Sequence, residues 1–311
     1  FCWLVLAALL LVVFPPRSLH SFVAWIGLLC SAGVLGSVRL ALTDLPALTL
    51  ITAAAIVFQR GRPFGATGLL AAAVLARETS LLTFPAFRGE TLKRTLVRAV
   101  ACVAPFIGWY IYIRVTIGPG SDGWDNLTWP GVYFLAKWRY CLGDRGNEKY
   151  PLLAWTSLLS MIGITVQAVW LVARPAWKNL WWRLGIGHVG LMLMLGWAPW
   201  EGYPGAATRV LLPLQLAFNA LVPRSRSGLI LLVLGNLSFA SGLMFIFDVP
   251  RERDELAAAR FEPAAYVARL GPGFYGREQR GSHRWCWANR EATVRLQRWH
   301  GSDPVHVEFT L

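Results

Sequence analysis

Ten apolar runs, separated by short polar connections, fill the chain up to Phe247, and the pattern changes only after Asp248. The runs are Phe1 to Phe14, Leu19 to Val38, Leu45 to Phe58, Phe64 to Leu75, Thr79 to Phe87, Val97 to Val115, Leu152 to Ala173, Leu184 to Trp197, Val210 to Val222 and Leu229 to Phe247. A helix of ~20 apolar residues crosses a ~30 Å hydrocarbon core. Backbone groups in that core must be satisfied within their own segment, which predicts helices throughout. Two runs are too short to cross: Phe64 to Leu75 rises only ~18 Å as a helix, and Thr79 to Phe87 is shorter still. They are expected to form a broken hairpin with Arg77-Glu78 at its tip, leaving about eight spans.

The polar connections differ in charge. Arg17, Arg60, Arg62, Arg88, Lys93, Arg94, Arg98, Arg174, Lys178, Arg183, Arg224 and Arg226 fall in one set of connections, accompanied by the single acid Glu90. The connection 116–151 balances Lys137, Arg139, Arg145 and Lys149 against Asp122, Asp125, Asp144 and Glu148, and the connection 200–208 holds only Glu201. Basic loops stay in the cytoplasm. With the hairpin entering and leaving on that side, Asp44, both neutral connections and the tail are placed outside. Tryptophans are expected in two interfacial belts: Trp124, Trp129, Trp138, Trp197 and Trp200 on the outer face, and Trp177, Trp181 and Trp182 on the inner one.

The tail is charged at first, then reads Gly271-Pro-Gly-Phe-Tyr-Gly276, Trp285-Cys-Trp287, Ala292 to Leu296 and Val305 to Leu311. The last alternates at period two, as a half-buried strand does. Two or three strands alone are marginal, so further sheet is expected beyond Leu311. A segment is likewise expected before Phe1, which opens partway through an apolar run. The predicted organisation is an all-α polytopic membrane domain over 1–247 and an external tail with a partial β module over 248–311.

Composition supports the membrane reading. Hydrophobic residues make up 55% and charged residues 15%, against about 25% charged in soluble domains. The net charge of +13 would suit a nucleic-acid partner. The cations instead sit in short clusters between apolar runs, so the bilayer is the expected partner and nucleic acid is excluded. The five cysteines at 2, 30, 102, 141 and 286 form no CxxC pair, and hence no zinc or redox signature. Cys141 and Cys286 could be joined only by a disulfide that nothing in the sequence supports. Gly271, Gly273 and Gly276 spell GxGxxG, but that fingerprint needs a strand before it and a helix after it; here it reads as a turn.

Three constellations carry candidate chemistry. Asp44, in Thr43-Asp-Leu-Pro46, is either a helix N-cap with proline in the first turn or a carboxylate at the mouth of a membrane cavity. In the second role it could hold a hydroxyl or a divalent metal; ionisable groups within membrane segments are functional candidates by default. Arg77 and Glu78 point in different directions on a helix. Each either ties the hairpin to a neighbouring helix or faces an anionic headgroup. Arg209 follows Trp200-Glu-Gly-Tyr-Pro204 and precedes Leu211-Leu-Pro213. In the first turn of a helix a cation opposes the dipole, so it asks for a negative partner: a phosphate, with Tyr203 nearby, or Glu201. Snorkelling to lipid headgroups is the plainer alternative.

Thr43-Asp44-Leu45-Pro46, Arg60-Gly-Arg62, the small-residue stretch Gly65 to Leu75, the break Ala76-Arg77-Glu78-Thr79 and Arg209-Val-Leu-Leu-Pro213 together resemble the GT-C class of membrane glycosyltransferases. The nearest likeness is to bacterial relatives of protein mannosyltransferases and aminoarabinose transferases. The tail pattern from Gly273 to Val294 looks like a β module appended to some members. The resemblance implies a bacterial cytoplasmic-membrane enzyme of the cell envelope with its active site on the external face. Its donor would be a polyprenyl-phosphate sugar and its acceptor a glycan, lipid or protein. Asp44 matches the family's second acidic position, which organises the site and in some members touches a divalent metal. The family's general base lies in an earlier external loop that is not among these residues. Arg209, Arg77, Glu78, Glu201 and Tyr203 would serve the donor phosphate. A flippase for lipid-linked saccharide and a non-catalytic glycan-assembly protein are the alternatives.

Overall fold

The computed structural model describes residues 1–89, 91–116, 126–143 and 151–247, and the backbone of four strands in the tail. The helices are α1 (Cys2–Val13), α2 (Leu19–Leu29), α3 (Ala32–Arg39), α4 (Asp44–Gln59), α5 (Pro63–Ala76), the 3₁₀ segment η1 (Glu78–Phe87), α6 (Leu92–Thr116), α7 (Val132–Gly143) and α8 (Pro151–Ala173). They continue with α9 (Leu180–Met194), α10 (Trp197–Trp200), α11 (Ala207–Val210), α12 (Leu212–Leu221), α13 (Arg226–Gly235) and α14 (Phe239–Phe247). The contacts divide the chain into Phe1–Val249 and Pro250–Leu311.

Local chemistry sets many of these ends. Ser18, Ser31, Asn179 and Ser225 begin α2, α3, α9 and α13, each accepting a backbone N–H of the first turn, the usual N-cap arrangement. Pro63 opens α5, where its missing N–H costs nothing. The Ser31 cap also cuts an apolar run that is continuous in sequence. Leu19 to Val38 is broken at Cys30-Ser31, and Leu229 to Phe247 bends by 47° between α13 and α14.

Among the described residues three helices are long and apolar enough to cross a membrane: Leu19–Arg39, Leu92–Thr116 and Pro151–Ala173, or four if the bent α13–α14 pair is one span. This is the length and composition of a membrane protein, and it corrects the expected count of about eight spans. The physical reason lies in helix length. α1, α4, α5 and α12 are apolar but hold only 12, 16, 14 and 10 residues, at most ~24 Å of rise.

The two broken pairs lie side by side. α2 packs on α13 and α3 on α14, and at the breaks Ala32 N–H donates to the Ser238 carbonyl (3.1 Å). A Cβ on Gly242 would strike the Cys30 carbonyl, so only glycine allows this approach. A buried amide network ties the same region together. Gln215 Nε2 and Asn219 Nδ2 donate to Asn236 Oδ1 (2.8 and 3.1 Å), and Asn236 Nδ2 donates to Asn219 Oδ1 (2.8 Å). The same two donors reach the Gly27 and Ala24 carbonyls of α2 (3.2 and 3.0 Å). Buried amides so paired avoid the penalty of an unmade hydrogen bond.

The aromatic belts are corrected in part. Trp129 and Trp177 are exposed, but Trp181 and Trp182 are buried and Trp200 is fully so, against Phe134. Trp182 instead donates Nε1–H to the Leu171 carbonyl (2.8 Å). Trp124 lies outside the described residues. Cys141 is a buried free thiol near Ser157 Oγ; the side chain of Cys286 lies outside the described residues.

In the tail, β1 (Tyr266–Leu270) pairs antiparallel with β4 (Val294–Arg298), and β2 (Phe274–Arg280) with β3 (His283–Ala288). Gly276 lies inside β2, where a strand rather than a dinucleotide-binding helix follows. The expected turn over 271–276 is corrected for 274–276, which open β2; 271–273 and the strand 305–311 lie outside the described residues.

Candidate active site

The site is built on the α4–α5 hairpin. α4 rises ~24 Å and α5 ~21 Å, and the two pack along each other across the turn Arg60-Gly61-Arg62, with Gly61 at φ 74°. Nearly equal antiparallel lengths bring the start of α4 level with the end of α5. Asp44 and Arg77 therefore meet, with Arg77 Nε 3.3 Å from Asp44 Oδ1. The contact is ionic rather than a directed hydrogen bond: the buried Arg77 Nε–H has no hydrogen-bond partner. Asp44 is only 6% exposed. Its carboxylate serves Arg77 and does not cap its own helix; Thr43 stands at the cap position without a side-chain bond. Arg77 itself leaves the helix in an extended conformation (φ −154°, ψ 117°), and η1 then turns back against α5.

Arg209 arrives from the other end of the chain. It lies in α11, which seats on α3 because Gly33 has no Cβ to strike the Thr208 carbonyl. The expected placement in the first turn of the following helix is corrected: Leu211 separates α11 from α12. Arg209 lines one crevice with Asp44, Arg77, Thr79 and Ser80. Burial lowers its pKa from the ordinary arginine range, Asp44 works against that shift, and Arg77 adds to it. Its negative neighbour is thus Asp44. Glu201 is exposed and lines none of the cavities that hold Arg209.

Two chambers adjoin the crevice. The larger, about 720 Å³, has Arg77, Glu78 and Thr79 at its polar end and Phe106, Tyr110, Leu191 and Leu195 along its apolar walls. The smaller, about 180 Å³, lies against Arg209, Tyr203 and Phe245. Glu78 is exposed at the rim of the larger chamber; Arg77 pairs with Asp44, not with it. Of the residues singled out from the sequence, Asp44, Arg77 and Arg209 come together. Glu78 and Tyr203 flank them, and Glu201 stands apart.

Lys137 was not singled out. It lies on α7, is fully buried, and donates from Nζ to the Gly202 carbonyl (2.6 Å) beneath the rings of Tyr140 and Tyr203. Tyr140 and Tyr203 also share a hydroxyl hydrogen bond of 2.7 Å. Together these contacts fasten the turn that leads to Arg209. The signal was Val132-Tyr-Phe-Leu-Ala136, an apolar start to a helix inside a stretch read only as a charged connection.

Among the described residues no group of three His, Cys, Asp or Glu side chains gathers, and the nearest charges to Asp44 are cationic. Comparison with protein families, with curated proteins and with solved structures finds no match to this chain.

Proposed function

We propose that this chain transfers a sugar from a polyprenyl-phosphate donor to an acceptor, with the reaction on the external face of the membrane. The observation that carries the reading is the convergence of Asp44, Arg77 and Arg209 in one crevice beside the apolar chamber of about 720 Å³. One carboxylate against two guanidiniums leaves an excess positive charge around a buried Asp44 and two half-buried arginines. A lipid-linked phosphate complements both parts: its anion faces the arginines and its chain the apolar wall.

In the reaction the acceptor oxygen bonds to the anomeric carbon as the bond from that carbon to the phosphate oxygen breaks. The leaving phosphate keeps the electron pair, and the acceptor proton passes to a base or to water. Negative charge grows on the phosphate oxygens. A well-aimed donor at such a position lowers the barrier by ~3 kcal/mol. Arg209 and Arg77 take that role. Asp44 is a positioning residue that holds both guanidiniums in place without touching the donor.

The test uses the full-length protein in membranes with a labelled polyprenyl-phosphate sugar. Arg209→Ala is expected to lower transfer by ~10²–10³-fold, and Asp44→Asn to lower it less. Transfer left intact by both substitutions refutes the site. Movement of labelled donor across the bilayer without transfer favours the flippase.

A further inference from the structure

At the opposite end of the hairpin from Asp44 lies a second polar cavity of about 430 Å³, lined by Arg88, Gly89, Thr91, Leu92, Thr95 and Arg183. η1 separates the two places. Its ten residues rise up to ~20 Å as a 3₁₀ helix, so this cavity is not part of the candidate active site.

Among the described residues its charged lining is cationic, Arg88 and Arg183. Arg183 Nη2 donates to the Ala86 carbonyl (3.2 Å), and Arg98 Nη1 to the Phe87 carbonyl (3.5 Å), so the end of η1 takes up part of two positive charges. Arg183 Nε is buried and has no hydrogen-bond partner. Arg88 is exposed on the same cavity wall. The cavity also meets the start of α6, whose first turn holds Lys93 and Arg94 and no acid. The positive end of a helix dipole prefers anions. Glu90, the acid of this segment, lies outside the described residues. The cavity is held open locally: Gly89 N–H donates to Thr95 Oγ1 (2.9 Å) and Arg94 N–H to Thr91 Oγ1 (3.3 Å).

Beyond the cavity α6 is apolar and bare. Leu92, Leu96 and Val100 are 75%, 56% and 67% exposed. At spacing i, i+4, i+8 they form one stripe that starts on the cavity wall and leads away from it. A cationic cup continuous with an exposed apolar track suits a molecule with a phosphate head and a hydrocarbon tail.

We propose that this cavity binds a phosphate anion between Arg88 and Arg183, supplied by an anionic phospholipid headgroup whose acyl chain lies on the α6 stripe. The site is independent of the transferase reading.

The test is native mass spectrometry of the full-length protein in detergent with added phosphatidylglycerol or phosphatidylcholine, with calorimetric titration of inorganic phosphate in parallel. Each basic side chain near a membrane surface contributes about five-fold to anionic-lipid affinity. Arg88→Gln with Arg183→Gln is therefore expected to weaken phosphatidylglycerol retention about thirty-fold and leave phosphatidylcholine unchanged. The paired lysine replacements, which keep the charge, are expected to fall between and guard against misfolding of the glutamine variant. Arg60→Gln with Arg62→Gln removes two charges outside the cavity and is expected to have little effect. Phosphate binding as tightly as the lipid and lost in the same variant keeps the site but overturns the lipid as its source. Equal retention by wild type and the Arg88/Arg183 variant, or an equal loss in the Arg60/Arg62 variant, overturns the proposal.

Discussion

Replacing Asp44 by asparagine removes the carboxylate but little volume, and leaves Arg77 and Arg209 facing one another. At an effective dielectric of about 20, unit charges 3.3 Å apart attract by about 5 kcal/mol before desolvation. Net values are smaller: roughly 0–1 kcal/mol for exposed pairs and 3–5 kcal/mol where one partner of a buried pair is removed. Asp44 is buried and the Arg77 side chain is 31% exposed, which places the coupling between those limits, at about 2 kcal/mol. A double-mutant cycle of Asp44→Asn and Arg77→Gln, read by thermal unfolding in detergent, isolates it. The coupling is expected as roughly 4–8 °C of non-additivity in Tm. The two single variants should also differ: Arg77→Gln leaves Asp44 with Arg209 as a counter-charge, whereas Asp44→Asn leaves two cations with none, so the latter is the more damaging. Additive shifts, with coupling below about 0.5 kcal/mol, or the reverse order of severity, refute the triad.

Lys137→Met is expected to lower stability by about 1–3 kcal/mol, because the Gly202 carbonyl loses its buried donor; an unchanged Tm would exclude that role. Asn236→Leu is expected to cost about 1–2 kcal/mol, at the upper end for hydrogen bonds between membrane helices, and a Gln215→Leu/Asn219→Leu/Asn236→Leu triple variant should recover part of it. Thermal unfolding of both proteins decides this. Cys141 should resist a membrane-impermeant maleimide in the folded protein and react after denaturation, as a free buried thiol does; labelling without denaturant would contradict its burial.

Much of the candidate-site cluster was legible because charge is scarce in this sequence. In an apolar chain every buried ionisable group needs a partner, so Asp44, Arg77 and Arg209 announce themselves. Their pairing was not legible, since it depends on α4 and α5 having nearly equal lengths and on Gly33 admitting α11. The span count was misread because an apolar run shows that a segment shuns water but not that its helix is long enough to cross, as α1, α4, α5 and α12 are not. Trp181, Trp182 and Trp200 were assigned to interfaces by residue type, while packing against Leu171 and Phe134 decided their burial. Lys137 was hidden because its connection balances to zero charge, which says nothing about where each charge resides.

The amide network around Asn236 also bears on how the chain is assembled. Ala24 and its donor Asn219 are 195 residues apart, and Gly27 and Gln215 are 188 apart. At ~5–20 residues per second a ribosome needs roughly 10–40 s to make the stretch between them. Throughout that interval α2 waits in the bilayer without the helices that fix its rotation and depth. A factor that shelters partly built membrane helices would find in α2 a client until α12 and α13 arrive.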